Sequence, residues 1–260
     1  MTLELRPRSH RKNSSIHKSQ QLMNGGYAEY EHYLQDELRR VAQLVAAYLL
    51  KQPAIVEMRS EVADRLVQSP LDVDPSLETD DAWRHCLDRA GAAAAEIRLL
   101  LESTDVAARD RFPLCRLLHA YDSGCENEGL SSAALDALLV CLLEHRSALY
   151  RAAFNSLRTE DGAAPGGLTV GMLAEIVQPA PPRDGDVAWD RLAMFDAGQP
   201  LVRSSLVELG ADSLPAMHRR AQINAQAAAF LLGDNLLPAE LGGAAVRWRR
   251  VRRGRPWAAR

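Results

Sequence analysis

The chain has 260 residues, 47% of them hydrophobic and 25% charged, with a formal net charge of −3. Such totals belong to a globular protein with a sizeable core in one large or two small domains, and they exclude a wholesale affinity for polyanions. No apolar run approaches the ~20 residues of a membrane span, and the N-terminus MTLELRPRSHRKNSSIHKSQQ lacks the apolar centre of a signal peptide, so a cytoplasmic protein is expected.

Alanine and leucine dominate many stretches and aromatic residues make up only 5%. Both enter helices at low cost, so the expected fold is mainly α. Residues 1–24 carry Arg6, Arg8, Arg11, Lys12 and Lys18 against Glu4, and are expected as a disordered basic arm. Residues 25–109 read as an N-terminal helical region. Its first helix follows Gly25-Gly26, with Tyr27, Tyr30, Leu34, Leu38, Val41, Val45 and Tyr48 on one stripe, and Pro53 stops it. A second helical segment is expected from Ile55 to Val67, then the linker LDVDPSLE. A third helix is expected with Thr79 as N-cap and Asp80 and Asp81 in its first turn, running through Trp83, Leu87, Ile97, Leu100 and Leu101.

The centre of the chain is its most apolar part. RFPLCRLLHAYD reads as a short helix after Pro113. SSAALDALLVCLLEHRSALYRAAFNSL, capped by Ser131 or Ser132, is apolar almost all round through Leu143 and should be a buried core helix. In LTVGMLAEIV, Thr169 is an N-cap, and Leu168 and Leu173 stand at the two positions of a hydrophobic staple. VAWDRLAMF reads as a short helix, and PLVRSSLVEL as a strand or strand-like segment. INAQAAAFLLG reads as a helix ending at Gly233, where glycine takes a left-handed cap.

Candidate chemistry is sparse. Cys115 with His119, and Cys141 with His145, are C-x-x-x-H steps whose side chains share a helix face, and two such helices together could hold zinc. Core cysteines beside edge histidines are the plainer reading, because no C-x-x-C knuckle is present; no metal is expected. Glu29 and His32 form one E-x-x-H step without the second that a di-iron bundle needs. There is no G-x-S-x-G, and thiols in apolar helices should have raised pKa values and low reactivity. The four cysteines, Cys86, Cys115, Cys125 and Cys141, show no framework spacing and are expected as thiols. A phosphate loop needs lysine after its glycines, and the only lysines are Lys12, Lys18 and Lys51; no cofactor and no catalysis are expected. The strongest electrostatic feature is the Arg-rich tail at 246–260. There Arg247, Arg249, Arg250, Arg252, Arg253, Arg255 and Arg260 occur with Trp248 and Trp257 and without any acid. Guanidinium and indole groups together suit phosphate contact and base stacking, or contact with an acidic protein.

Three segments in order carry a resemblance. LDALLVCLLEHRSALYRAAFNSLRTEDGAAPGGLTVGMLAEIV is similar to the stretch that precedes the ATPase module in a family of bacterial AAA+ proteins. There an apolar helix leads to a tyrosine-bearing helix, a polar link, and "PTVG" opening another helix. Tyr150 and Leu168-Thr169-Val170-Gly171 match, with Leu168 in place of the proline. FDAGQPLVRSSLVEL resembles the family's next segment, where a Pro-Leu pair leads into a short apolar element. INAQAAAFLLGDNLLPAEL resembles its final helix, which ends in Leu-Leu-Gly. The resemblance spans roughly residues 110–245. It implies a helical bundle followed by a winged-helix-like α-rich module at 110–245, of the kind placed before a nucleotide-binding domain. Such ATPases occur in several bacterial contexts, extracellular contractile injection systems among them. The phosphate loop and Mg²⁺-binding acid of the ATPase have no counterpart in these 260 residues, so activity is not implied. What is implied is a regulatory or adaptor role through protein contact, with an AAA+ ATPase or injection-system component as partner. Nucleic acid held by the tail is the alternative. A winged helix that reads DNA needs a basic helix after its turn. The segment after LTVGMLAEIV offers Arg183, Asp184, Asp186, Asp190 and Arg191, which is no basic face.

Overall fold

Helix α1 (Tyr30–Lys51) starts after a fixed corner and ends before a proline. At the corner Gly26 has φ +115°, and a Cβ there would lie 2.5 Å from the backbone of Thr104. The next residue, Tyr27, donates its N–H to Thr104 Oγ1 at 2.8 Å, and the Thr104 hydroxyl donates to Leu100 O. At the other end Gln52 is extended (φ −81°, ψ 119°), as the residue before Pro53 must be when the ring disfavours the helical region. These features belong to a computed structural model, which describes residues 26–52, 79–122, 130–157, 167–178, 192–211 and 213–233. The expected arm at 1–24, the helix at Ile55–Val67 and the linker LDVDPSLE lie outside the described residues, as does most of VAWDRLAMF.

Helix α1 departs from the single-stripe expectation. From Arg40 to Leu49 every residue is buried, because α1 is packed along α2 (Thr79–Ser103) on one side and against α5 (Ser132–Arg146) and α7 (Val170–Val177) on others. Its polar residues are accommodated by ion pairs. Arg40 Nε donates to Glu37 Oε2 at 2.8 Å, and its two Nη atoms donate to the Asp136 carboxylate on α5. Arg39 pairs with Asp36 at 3.1 Å, whose other oxygen accepts from Tyr27. A buried charge is tolerated only when paired in this way.

Thr79, expected before the helix as its N-cap, is already helical as the first described residue of α2. Helix α2 buries Ala82, Cys86, Ala90, Ile97 and Leu100. The one-turn helix α3 (Val106–Arg109) is capped by Asp105, which accepts from Ala108 N–H at 3.0 Å. Helix α4 (Pro113–Asp122) follows. Proline fits a first helical position because its missing N–H has no partner there. Phe112 joins Tyr27, Tyr30 and Tyr33 in an aromatic cluster, stacked on Tyr33 at 5.8 Å.

Helix α5 is the buried core helix the sequence predicts. Ser131 caps it, accepting from Ala134 N–H at 3.1 Å, and Ala137 through Glu144 are all buried. The long apolar stretch is two helices, however. Ser147 (φ −120°, ψ 118°) breaks it, and α6 (Ala148–Ser156) follows. Ser147 N–H still donates to Leu143 O, while Arg151 reaches back to the carbonyls of Glu144 and His145.

The fold is mainly helical. Its small sheet pairs β1 (Val207–Leu209) antiparallel with β2 (Ala221–Ile223), Val207 facing Ile223 and Leu209 facing Ala221. This corrects two expectations. PLVRSSLVEL divides into the one-turn helix α8 (Pro200–Arg203) and strand β1, turned by Ser205 at φ +52°. INAQAAAFLLG divides into the end of β2 and helix α9 (Ala225–Leu231). Asn224 caps α9 through the N–H groups of Gln226 and Ala227, and Gly233 takes φ +107° beyond its end, as predicted. Tyr30 Oη donates to Leu231 O at 2.7 Å, so the first helix is fastened to the last.

Candidate interaction surface

The surface is built on the residues around Thr169. Its hydroxyl accepts from Met172 N–H at 3.3 Å and so caps α7, as the sequence predicts; Leu168 and Leu173, the staple pair, are both fully buried. The same residues are bridged to the edge of β2. Ala221 N–H donates to Leu168 O at 2.9 Å and Val170 N–H to Arg219 O at 3.0 Å, with Thr169 bridged to Arg220. The hairpin loop 210–220 projects from this sheet beside α7.

Two glycines set how that loop lies. A Cβ on Gly171 would meet the Met217 carbonyl oxygen at 3.1 Å, so the 3₁₀ turn Ala216–His218 is seated directly on the first turn of α7. Gly167, at φ +112°, leaves room for the Arg220 guanidinium; a Cβ there would stand 3.1 Å from Arg220 Nε and 3.4 Å from Glu144 Oε1. Arg220 Nη2 lies 4.0 Å from Glu144 Oε1. Burial pushes the Glu144 carboxyl above the usual carboxylate range, although Arg220, a bond from Leu168 N–H, Arg151 and His145 all act the other way.

The outer face of this region carries little charge. Over residues 192–223 the carboxylates are Asp196, Glu208 and Asp212, the last outside the described residues, and the guanidiniums Arg203, Arg219 and Arg220, of which Arg220 faces Glu144. Arg219 Nε donates to Leu214 O, and Glu208 accepts from Gln222 and Asn224. Pro215, Ala216, Met217 and His218 are exposed, Met217 by 50%. A duplex-binding surface neutralises phosphates with many cations, commonly about six to ten, and no such stripe is present among these residues. The arrangement suits a partner that contributes its own apolar and polar groups.

Elsewhere the chemistry is muted. A cleft of about 280 Å³ between α1 and α2 is lined by Asp36, Arg39, Arg40, Gln43, Arg89 and Glu96, together with Ala92, Ala93 and Ile97. Its cations stand among carboxylates and its lining includes no nucleophile. Cys115 and Cys141, half of the conceivable zinc set, are buried. Burial pushes the Cys115 thiol up to about 11 and raises Cys141 and Cys86 as well, which agrees with the expected inert thiols. His145 is exposed and the side chain of His119 lies outside the described residues. Among the described residues no group of three or more His, Cys, Asp or Glu side chains is placed to hold a metal, and no helix is long and apolar enough to cross a membrane. Arg247, Trp248, Arg249, Arg250, Arg252, Arg253, Arg255 and Trp257 all lie outside the described residues.

Sequence reasoning missed the Gly167–Glu144–Arg220 contact and the seat of Met217 on Gly171. Both bring in a residue from more than 40 positions away, Arg220 and Met217; the only local signals were the Gly166-Gly167 pair and an isolated glycine in the first turn of a helix. The model of a family described as winged helix domain, variant, matches residues 16–245. No curated protein and no solved structure matches the chain.

Proposed function

The chain belongs to the winged helix domain, variant, family, and from that membership we propose that it is a non-catalytic adaptor or regulatory module that acts by protein contact. Winged helix domains bind protein or nucleic acid, and the loop 210–220 takes the place of the wing. The observation that carries the protein reading is the charge of this segment: three carboxylates against three guanidiniums over residues 192–223, with an apolar tip at Met217. Sequence-independent DNA affinity comes from neutralised phosphates, so a nearly neutral face favours a protein. The resemblance of residues 110–245 to the region before the ATPase in bacterial AAA+ proteins names the partner we propose: an AAA+ ATPase or a component of a contractile injection system. We test this by titrating the full chain against an AAA+ ATPase encoded beside it, for the parent and for Met217→Asp. We expect binding that the substitution weakens at least about tenfold, the loss typical of a buried anchor at an interface. Binding that M217D leaves unchanged would overturn the proposed face.

A second reading rests on a different observation, the seven arginines and two tryptophans of residues 247–260. Under it the tail holds nucleic acid by phosphate contact and stacking, independently of the wing.

A further inference from the structure

We propose that the outer face of α2 is a self-complementary surface that pairs antiparallel with the same helix of a second copy of the chain. Arg84, Asp88, Gly91, Ala95, Arg98 and Glu102 lie at steps of four, three, four, three and four along one helix, and none of them is buried. That spacing keeps them on a single seam, as in two helices packed at a shallow angle. Read along the chain the seam runs cation, anion, small, small, cation, anion; read from the other end, every charge changes sign.

Place a two-fold axis midway between Gly91 and Ala95. Arg84 then meets Glu102 of the second copy, Asp88 meets Arg98, and Gly91 meets Ala95. Each contact occurs twice, as an isologous interface demands. A parallel pairing would set like charges against each other. Gly91 has no atom within 4 Å of where a Cβ would stand, so the backbones can approach closely at the axis. Leu99, 62% exposed, falls opposite Leu87 of the second copy. That pairing gives an apolar partner to the most exposed large hydrophobic residue of the helix. The inner face of α2 is already committed to α1 through Cys86, Ala90, Ile97 and Leu100.

The seam from Arg84 to Glu102 is about 27 Å long at 1.5 Å per residue. One helix pair of that length sits at the small end of specific interfaces, and a weak dissociation constant, on the order of 10 μM, is expected. The ion pairs fix register and direction more than they add affinity.

Sedimentation velocity of the full chain from about 1 to about 200 μM brackets that value. The parent should shift from monomer to dimer. D88R alone sets the new guanidinium against Arg98 of the second copy, and R98E alone sets the new carboxylate against Asp88 of the second copy; each should weaken association at least about tenfold. The double variant D88R/R98E restores opposite charges and should return to within about threefold of the parent. Mixing the two single variants should give a heterodimer, because each supplies what the other lacks. Neither position is buried, and circular dichroism verifies that each variant keeps its helix content. A parent that stays monomeric throughout overturns the proposal. So does a dimer indifferent to the single reversals, or a double variant no better than the singles.

Discussion

Replacing Arg40 by methionine removes the cation that bridges α1 and α5 and leaves two carboxylates facing a hole. In the parent the Arg40 side chain is 10% exposed, that of Glu37 9% and that of Asp136 16%. Breaking a buried pair by removing one member typically costs about 3–5 kcal/mol, because the remaining charge keeps its desolvation penalty. Against a typical total stability of about 5–15 kcal/mol, that is a large fraction. With an m-value of about 2–3 kcal/mol/M, the urea midpoint should fall by roughly 1–2 M. The triple variant R40M/E37M/D136L removes all three charges together and should recover to within about 1 kcal/mol of the parent. The pH dependence has a definite sign. Burial already raises the Glu37 carboxyl, with Arg40 opposing it, so losing Arg40 raises it further. A carboxyl with a raised folded value contributes stability that is fully present below its unfolded value, here 4.5, and lost as pH rises through the folded value. The R40M deficit should therefore be small near pH ~4 and full at neutral pH. A deficit under about 1 kcal/mol at neutral pH, or one that does not shrink on acidification, would refute the reasoning.

Gly26→Ala should cost more than about 2 kcal/mol in the same urea assay, because it combines a positive φ with a clash against the Thr104 backbone; a loss under about 0.5 kcal/mol would mean the corner is not rigid. Tyr30→Phe keeps the ring on Phe112 but removes the bond to Leu231 O, and should cost about 1 kcal/mol with faster hydrogen exchange in α9. Gly171→Leu should lift the Ala216–His218 turn off α7, read as accelerated exchange over 207–223 with α1 and α2 unchanged. In a Cys125→Ser background the native chain should resist a thiol reagent at pH ~8, because Cys86, Cys115 and Cys141 are buried and raised; stoichiometric labelling without unfolding would contradict this.

The parts of the fold that were legible in the sequence are those governed by neighbours in the chain. Ser131, Thr169, Asn224 and Gly233 act within a few residues of themselves, and caps of that kind can be read from type and position. Asn224 does not stand out as a cap in the sequence, because INAQAAAFLLG runs as one helix-forming stretch from Ile223. Only the pairing of Ala221 and Ile223 with Leu209 and Val207 divides it. The all-round burial of α1 from Arg40 to Leu49 was not legible either. Glu37, Arg40 and Gln43 look like a solvated stripe until Asp136, 96 positions away, is brought to Arg40. The face around Met217 was hidden for a similar reason, since its seat on Gly171 is a tertiary contact. The lack of a basic face after LTVGMLAEIV was read from charge alone, and Arg183, Asp184, Asp186, Asp190 and Arg191 lie outside the described residues.

The most direct test of the protein-contact reading is a titration of the full chain with duplex and single-stranded DNA at two salt concentrations, with and without residues 247–260. The account predicts weak binding with a shallow salt dependence in both forms. Tight binding whose slope of log K against log salt flattens by up to about six units on removing the seven tail arginines would contradict it.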